Sequence, residues 1–207
     1  MKLPFTTEQF FNVFENYNTN IFPVQIVILL AGLIVLLMAH RDKQLGKSAG
    51  IFLGLLWMWI GAVYHLAFFS SINKPAIVFG VLFILQGILF FLNAFSKSAI
   101  QIKAEKNVRS GAGEFLVIFG LIIYPVIGYL VEGSVTRIIS LGLPCPSTIL
   151  TFGFLMMATN RVPKYLLIIP FIWSLVGLSA ALNFGVYQDY MLIVSAVLAT
   201  IVLFRKK

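Results

Sequence analysis

Leu143-Pro-Cys-Pro-Ser-Thr-Ile-Leu-Thr-Phe152 places two prolines around the only cysteine of the chain and follows them at once with hydroxyl side chains. Proline has no N–H to donate and is tolerated in a first helical turn, and Ser and Thr favour helix starts, so this stretch predicts the opening of a helix. The apolar run it opens, 146–159, is shorter than the roughly 17 to 25 residues of a bilayer crossing. The architecture turns on this run: it is either a short span or a re-entrant segment.

Working outward, six other apolar runs are long enough or nearly so: 21–39, 49–69, 75–95, 114–131, 165–182 and 190–204. Charge decides the status of the seventh. The links after the first, third and fifth runs and the C-terminus hold 12 of the 15 Lys and Arg residues, leaving only Lys2, Lys74 and Arg137 elsewhere. Cytoplasmic links are the basic ones, which puts the N-terminus outside and the C-terminus in the cytoplasm. A re-entrant fifth run would move Arg161 and Lys164 to the outer side and break that pattern. The expected fold is therefore all-α: one membrane domain, 1–207, built as a polytopic bundle of seven transmembrane helices.

Composition agrees. Hydrophobic side chains make up 60% of the 207 residues and charged ones 11%, against about 25% charged in soluble domains, and the mean hydropathy is +0.98. The net charge of +8 is dispersed through short links with no basic, aromatic-interleaved patch, so the expected partner is the lipid bilayer and not nucleic acid. The N-terminus lacks the basic, apolar and small-residue regions of a cleaved signal peptide. A lone cysteine excludes an internal disulfide and a thiolate metal cluster.

Outside the spans, residues 6–17 set Phe10, Phe11, Val13, Phe14 and Tyr17 on one helical face, and Thr6 with Gln9 matches a capping box. Twelve residues are too few to cross, so this reads as an amphipathic helix in the membrane interface with its aromatics dipping into lipid. Residues 132–142, with Val135, Ile138, Ile139 and Leu141, read as a second interfacial segment. Glu114 opens the fourth span, and Asp189 caps the seventh on the outside with Glu8, Glu15 and Glu132. Pro23-Val-Gln-Ile-Val aligns with Pro146-Ser-Thr-Ile-Leu and Trp59 with Trp173, which suggests a 3+1+3 internal repeat of the kind used by sugar transporters of the SWEET type.

Polar groups within a bilayer are costly and ask for a partner or a purpose. Gln25, His65, Tyr124, Ser147, Thr148 and Thr151 all fall about 6 to 10 Å inside the outer boundary by the 1.5 Å helical rise, with Gln86 nearer the midplane. With Trp59, Tyr64 and Cys145 they make the candidate ligand-binding set, and Pro125, Pro144, Pro146 and Pro170 the candidate hinges. The first-turn N–H groups of Ser147 and Thr148 would suit an anion or a carbonyl. His65 could accept a proton, ligate a metal or haem, or simply tie two helices. A Cys145–His65 thiol–imidazole pair would lack a third orienting group. No catalytic residue, metal set or cofactor is identified.

The series Glu8-Gln-Phe-Phe, Tyr17-Asn18, Trp59 with Tyr64-His65, Asn73, Tyr124-Pro125, Pro144 through Gly153, Arg161-Val-Pro163 and Pro170 with Trp173 resembles an uncharacterised family of bacterial multi-span membrane proteins, grouped as a domain of unknown function. The resemblance covers nearly the whole chain and implies a bacterial inner-membrane location without an assigned activity. Three functions stay open: binding or transport of a small polar solute or ion through an outward-facing intramembrane pocket, a membrane enzyme or redox subunit using His65 and Cys145, and a structural or sensory subunit whose partner docks on helix 6–17. Oligomer formation is open as well.

Overall fold

The computed structural model describes residues 4–41 and 45–204. Lys2, Asp42, Lys43 and Arg205-Lys206-Lys207, which entered the charge reading, lie outside the described residues. Those described form eight helices: α1 (Thr7–Ile21), α2 (Val24–Ala39), α3 (Lys47–Ser71), α4 (Ala76–Ala94), α5 (Val108–Glu132), α6 (Pro144–Met156), α7 (Tyr165–Phe184) and α8 (Tyr190–Phe204). No strand occurs among them, only two isolated bridges, Ile102 with Ala158 and Leu141 with Leu143.

From α2 to α8 the chain runs back and forth between two ends of the bundle. α3, α4, α5, α7 and the stretch Tyr187–Phe204 are each long and apolar enough to cross a membrane, and α1 with α2 makes a sixth such unit bent by 86°. The outward faces carry aliphatic residues at helical spacing, such as Val27, Leu30, Ile34 and Leu37 on α2 and Val194, Val197, Leu198 and Ile201 on α8.

α6 lies at the centre. Every one of its residues except Cys145 is buried, and it packs on α5, α7 and α8. Small residues permit this approach: a Cβ on Gly153 would stand 2.5 Å from the Gly113 carbonyl oxygen, and one on Gly113 would stand 2.6 Å from that of Gly153. Backbone-to-backbone contact of this kind is how apolar helices gain packing energy without a solvent to drive them together. The helix is short because both its ends continue in irregular chain held inside the protein. At the far end, Lys103 N–H donates to the Met157 carbonyl (3.3 Å), Thr159 N–H to the Gln101 carbonyl (2.7 Å) and Arg109 to the Ala158 carbonyl (2.6 Å). Non-helical backbone at such depth requires internal partners of this sort.

α1 has the predicted capping box, with Gln9 N–H donating to Thr6 Oγ1 (3.2 Å) and Thr6 N–H to Gln9 Oε1 (2.8 Å). Its aromatic face, however, is buried in protein: Phe10, Phe11, Phe14 and Tyr17 are at most 8% exposed. The bend at Phe22-Pro23 turns α1 across the bundle end, where Phe10 stacks on Phe184 of α7 at 4.4 Å. That face is therefore neither inserted in lipid nor free to dock a partner. Residues 132–142 also depart from expectation. Gly133 ends α5 in the left-handed region (φ 65°), and the following chain is irregular because α1 takes up its carbonyls: Asn18 donates to Thr136 and Ile138 (2.7 and 2.8 Å) and Tyr17 to Gly142 (2.8 Å). Ile139 and Leu141 are buried, whereas Val135 is exposed.

Three boundaries are corrected. α5 begins at Val108, capped by Asn107 accepting from Ser110 N–H (2.8 Å), so Glu114 lies inside the helix and pairs with His40 Nε2 at 2.8 Å. The fifth run starts as a helix at Pro144 and ends at Met156. Span 1 begins at Val24, after a cis Phe22–Pro23 peptide. The helices that the repeat would equate occupy different places: α2 is peripheral and buries only Gly32, Val35, Leu36 and Ala39, whereas α6 is the core.

Candidate functional site

A cavity of about 230 Å³ lies beneath α1 at the bundle end that α1 covers. Its walls are aromatic: Phe10 and Phe14 from α1, Tyr64 and Phe69 from α3, Phe79 from α4, Trp173 and Phe184 from α7. Tyr64 is clamped between Phe14 (5.9 Å, 7° between planes) and Phe69 (5.5 Å, 14°). Pro4, Asn73, Pro75 and Ser179 form the rim, and Pro144, Cys145 and Asp189 complete the lining deeper in. Among the described residues the lining contains no basic side chain.

The polar corner is assembled by long-range contacts. Asp189, expected outside as a helix cap, is buried (1% exposed), because Tyr124 OH reaches it from α5 and donates to its Oδ1. The Cys145 thiol adjoins Asp189, Tyr124 and Trp173. Trp173 is 7% exposed, and its buried Nε1–H has no oxygen or nitrogen acceptor, only the Cys145 sulfur beside it. A Cβ on Gly177 would stand 2.5 Å from Leu192 Cδ1, 3.6 Å from that nitrogen and 3.7 Å from Cys145 Sγ, so the bare glycine lets Leu192 of α8 pack against α7 beside both groups. A buried N–H without an oxygen acceptor costs up to about 1 to 3 kcal/mol, and this one differs from the other unpaired buried groups in lining a cavity.

Two widened helical turns bring these residues in. Ile60–Phe68 of α3, carrying Tyr64 and His65, and Phe119–Ile123 of α5, directly before Tyr124, are both π-helical. Such turns re-aim side chains and recur at functional sites. His65 sits one layer behind the cavity wall, its ring 4.6 Å from Phe83 and 5.1 Å from Trp173, with both nitrogens unpartnered. Cys145 and His65 thus both touch Trp173 and are not bonded to one another. Among the described residues no three His, Cys, Asp or Glu side chains gather as a metal site.

Of the residues expected at the site, Tyr64 and Cys145 line the cavity, Tyr124 reaches it through Asp189, and His65 backs Trp173. The others are engaged elsewhere. Gln25 Nε2 donates to the Asn18 carbonyl (2.9 Å) and Trp59 Nε1 to Tyr17 OH (2.8 Å). Ser147 Oγ accepts from Gly142 N–H (3.2 Å), Thr148 donates to the Pro144 carbonyl (2.8 Å), and Thr151 donates to the Ser147 carbonyl (2.7 Å) while accepting from Trp57 Nε1 (2.9 Å). The Ser147 N–H is itself used, donating to the Leu143 carbonyl (3.4 Å), so it does not point outward at a ligand. Gln86 has a specific structural task. Pro170 within α7 has no N–H for the carbonyl four residues earlier, that of Leu166, and Gln86 Nε2 donates to it instead (3.0 Å); freed carbonyls at prolines need such a substitute.

Asp189 and Trp173 are the site residues that sequence reasoning passed over. The available signal was Gln188-Asp189 directly before an apolar run, a carboxylate nearer to the hydrocarbon than an exposed cap requires.

Fold and cavity together define a class: an all-helical bundle of apolar helices packed around a short buried helix, with an aromatic chamber closed by an amphipathic helix at one end. The chain belongs to the Family of unknown function (DUF6064), whose model matches residues 7–207. No curated protein and no solved structure matches it.

Proposed function

We propose that the protein is a multi-pass protein of the bacterial inner membrane, with seven passes, an outer N-terminus and a cytoplasmic C-terminus, and that it binds a small solute in the chamber under α1 as the first step of transport. The alternating course of α2 to α8, the aliphatic outward faces and the basic links support the placement. The fifth pass is α6, shielded from lipid by its neighbours. In this orientation the rim at Pro4, Asn73, Pro75 and Ser179 faces outward.

The observation that carries the binding reading is the Trp173 N–H, without an oxygen or nitrogen acceptor, beside the Asp189 carboxyl in a space large enough for a ligand. The enclosing rings make the ligand amphipathic rather than fully polar. Release to the other side would require α7 and α5 to flex at Pro170 and Pro125.

Ser179 is exposed on the rim, so Ser179→Trp blocks entry without disturbing the core. Purified protein in nanodiscs, heated with a panel of amines, alcohols, carboxylates and sugars, is expected to show a raised Tm with at least one class and none with that class in Ser179→Trp. Equal shifts in both proteins would place binding elsewhere.

A further inference from the structure

Resting on that reading of the chamber, we infer that its ligand is a small organic cation, an ammonium carrying an oxygen acceptor a few bonds away. Three features of the lining lead there. First, the walls are built of aromatic rings from four helices, with Phe69, Phe79 and Trp173 among them. The face of an aromatic ring is electron-rich and attracts an ammonium within about 6 Å of its centre, the more so when water is excluded. Second, among the described residues the only carboxyl group in the lining is that of Asp189, and no basic side chain lines the chamber to balance it. One oxygen of that carboxyl accepts from Tyr124, a bond that fixes its orientation and leaves an ammonium as the natural counter-charge. An anionic ligand would instead meet a buried acid and the negative faces of the rings.

Third, the Trp173 N–H cannot serve an ammonium, since both are donors. It needs an oxygen, so the ligand carries a hydroxyl, ether or carbonyl beside its cationic head. Gly177, Trp173 and Cys145 line the same part of the chamber, where that oxygen would sit. A chamber of about 230 Å³ admits an amino alcohol or a short amino ester and excludes long-chain amphiphiles.

The test compares choline, acetylcholine and tetramethylammonium with 3,3-dimethylbutanol, the uncharged isostere of choline, and with acetate, by calorimetry on the full chain in nanodiscs. Choline and acetylcholine are expected to bind at least tenfold more tightly than the isostere, with acetate silent. Asp189→Asn is expected to weaken the cations by roughly ten- to hundredfold, the scale of a charge-assisted contact, and to leave the isostere unchanged. Trp173→Phe keeps a ring and removes the N–H; it is expected to erase the preference for choline over tetramethylammonium while tetramethylammonium still binds. If the isostere matches choline and Asp189→Asn changes nothing, the cation inference falls while solute binding in the chamber stands. If none of the probes binds, yet another solute binds wild type and not Ser179→Trp, the inference falls in the same way; if no solute at all distinguishes those two proteins, the chamber reading falls with it.

Discussion

α2 and α6 each begin beside a proline and are similarly free of charge, yet they occupy opposite places. α2 turns all but four of its 16 residues wholly or partly outward, whereas α6 buries 12 of its 13. Residue size and hydroxyl content separate them, and mean hydropathy follows, being the lower in α6. α2 is rich in Leu, Ile and Val, which suit an aliphatic surround. α6 carries Ser147, Thr148, Thr151 and Gly153, whose hydroxyls bond to its own backbone or its neighbours and whose glycine admits another helix backbone. In an apolar bundle the most polar apolar helix is the one at the centre, because only there can each of its polar groups find a partner.

Two substitutions address that contrast directly. Gly153→Leu forces a side chain into the Gly113 carbonyl and the Val117 backbone, 2.5 and 2.8 Å from its Cβ, and neither can retreat as a flexible side chain would. A loss above about 3 kcal/mol is expected, read as loss of folded protein in a thermal or denaturant series. Leu30→Ala on the exposed face of α2, where Leu30 is 51% exposed, is expected to cost less than about 0.5 kcal/mol. Similar costs for both would erase the distinction between centre and periphery.

The Gln86–Pro170 pair gives a smaller effect. Gln86→Leu strands the Leu166 carbonyl and is expected to cost about 1 to 3 kcal/mol. Pro170→Ala restores an N–H to α7 that can serve the same carbonyl, so Gln86→Leu should cost clearly less in that background. Equal costs in the two backgrounds would show that Gln86 does not stand in for the missing N–H.

Much of the helical plan was legible in the sequence, because hydrophobic runs and their prolines are local signals. The capping box at Thr6 and Gln9 is local too and was read correctly. The start of α5 was missed because Val108-Arg-Ser-Gly-Ala-Gly looks like a loop; Gly113 is there to meet Gly153, forty residues away. Helical rise suggested one level for His65, Tyr124 and the start of α6, and of the candidate residues Tyr124 and Tyr64 both come close to Cys145. Asp189 was misplaced because a charge beside a span normally faces water, and only the fold brings Tyr124 to it. The aromatic chamber draws residues from α1, α3, α4 and α7, a convergence that no spacing along the chain encodes.

The central claim, a chamber roofed by α1, entered at the rim beside it and floored by the polar corner, is tested most directly through Cys145, which lines it and is the only thiol in the chain. The measurement is the rate of its modification by a small membrane-impermeant methanethiosulfonate in intact cells and in inverted vesicles, with the denatured protein giving the full signal. Modification is expected in intact cells, slowed at least tenfold in Ser179→Trp and slow in inverted vesicles. Modification confined to inverted vesicles, or unaffected by Ser179→Trp, would contradict the account.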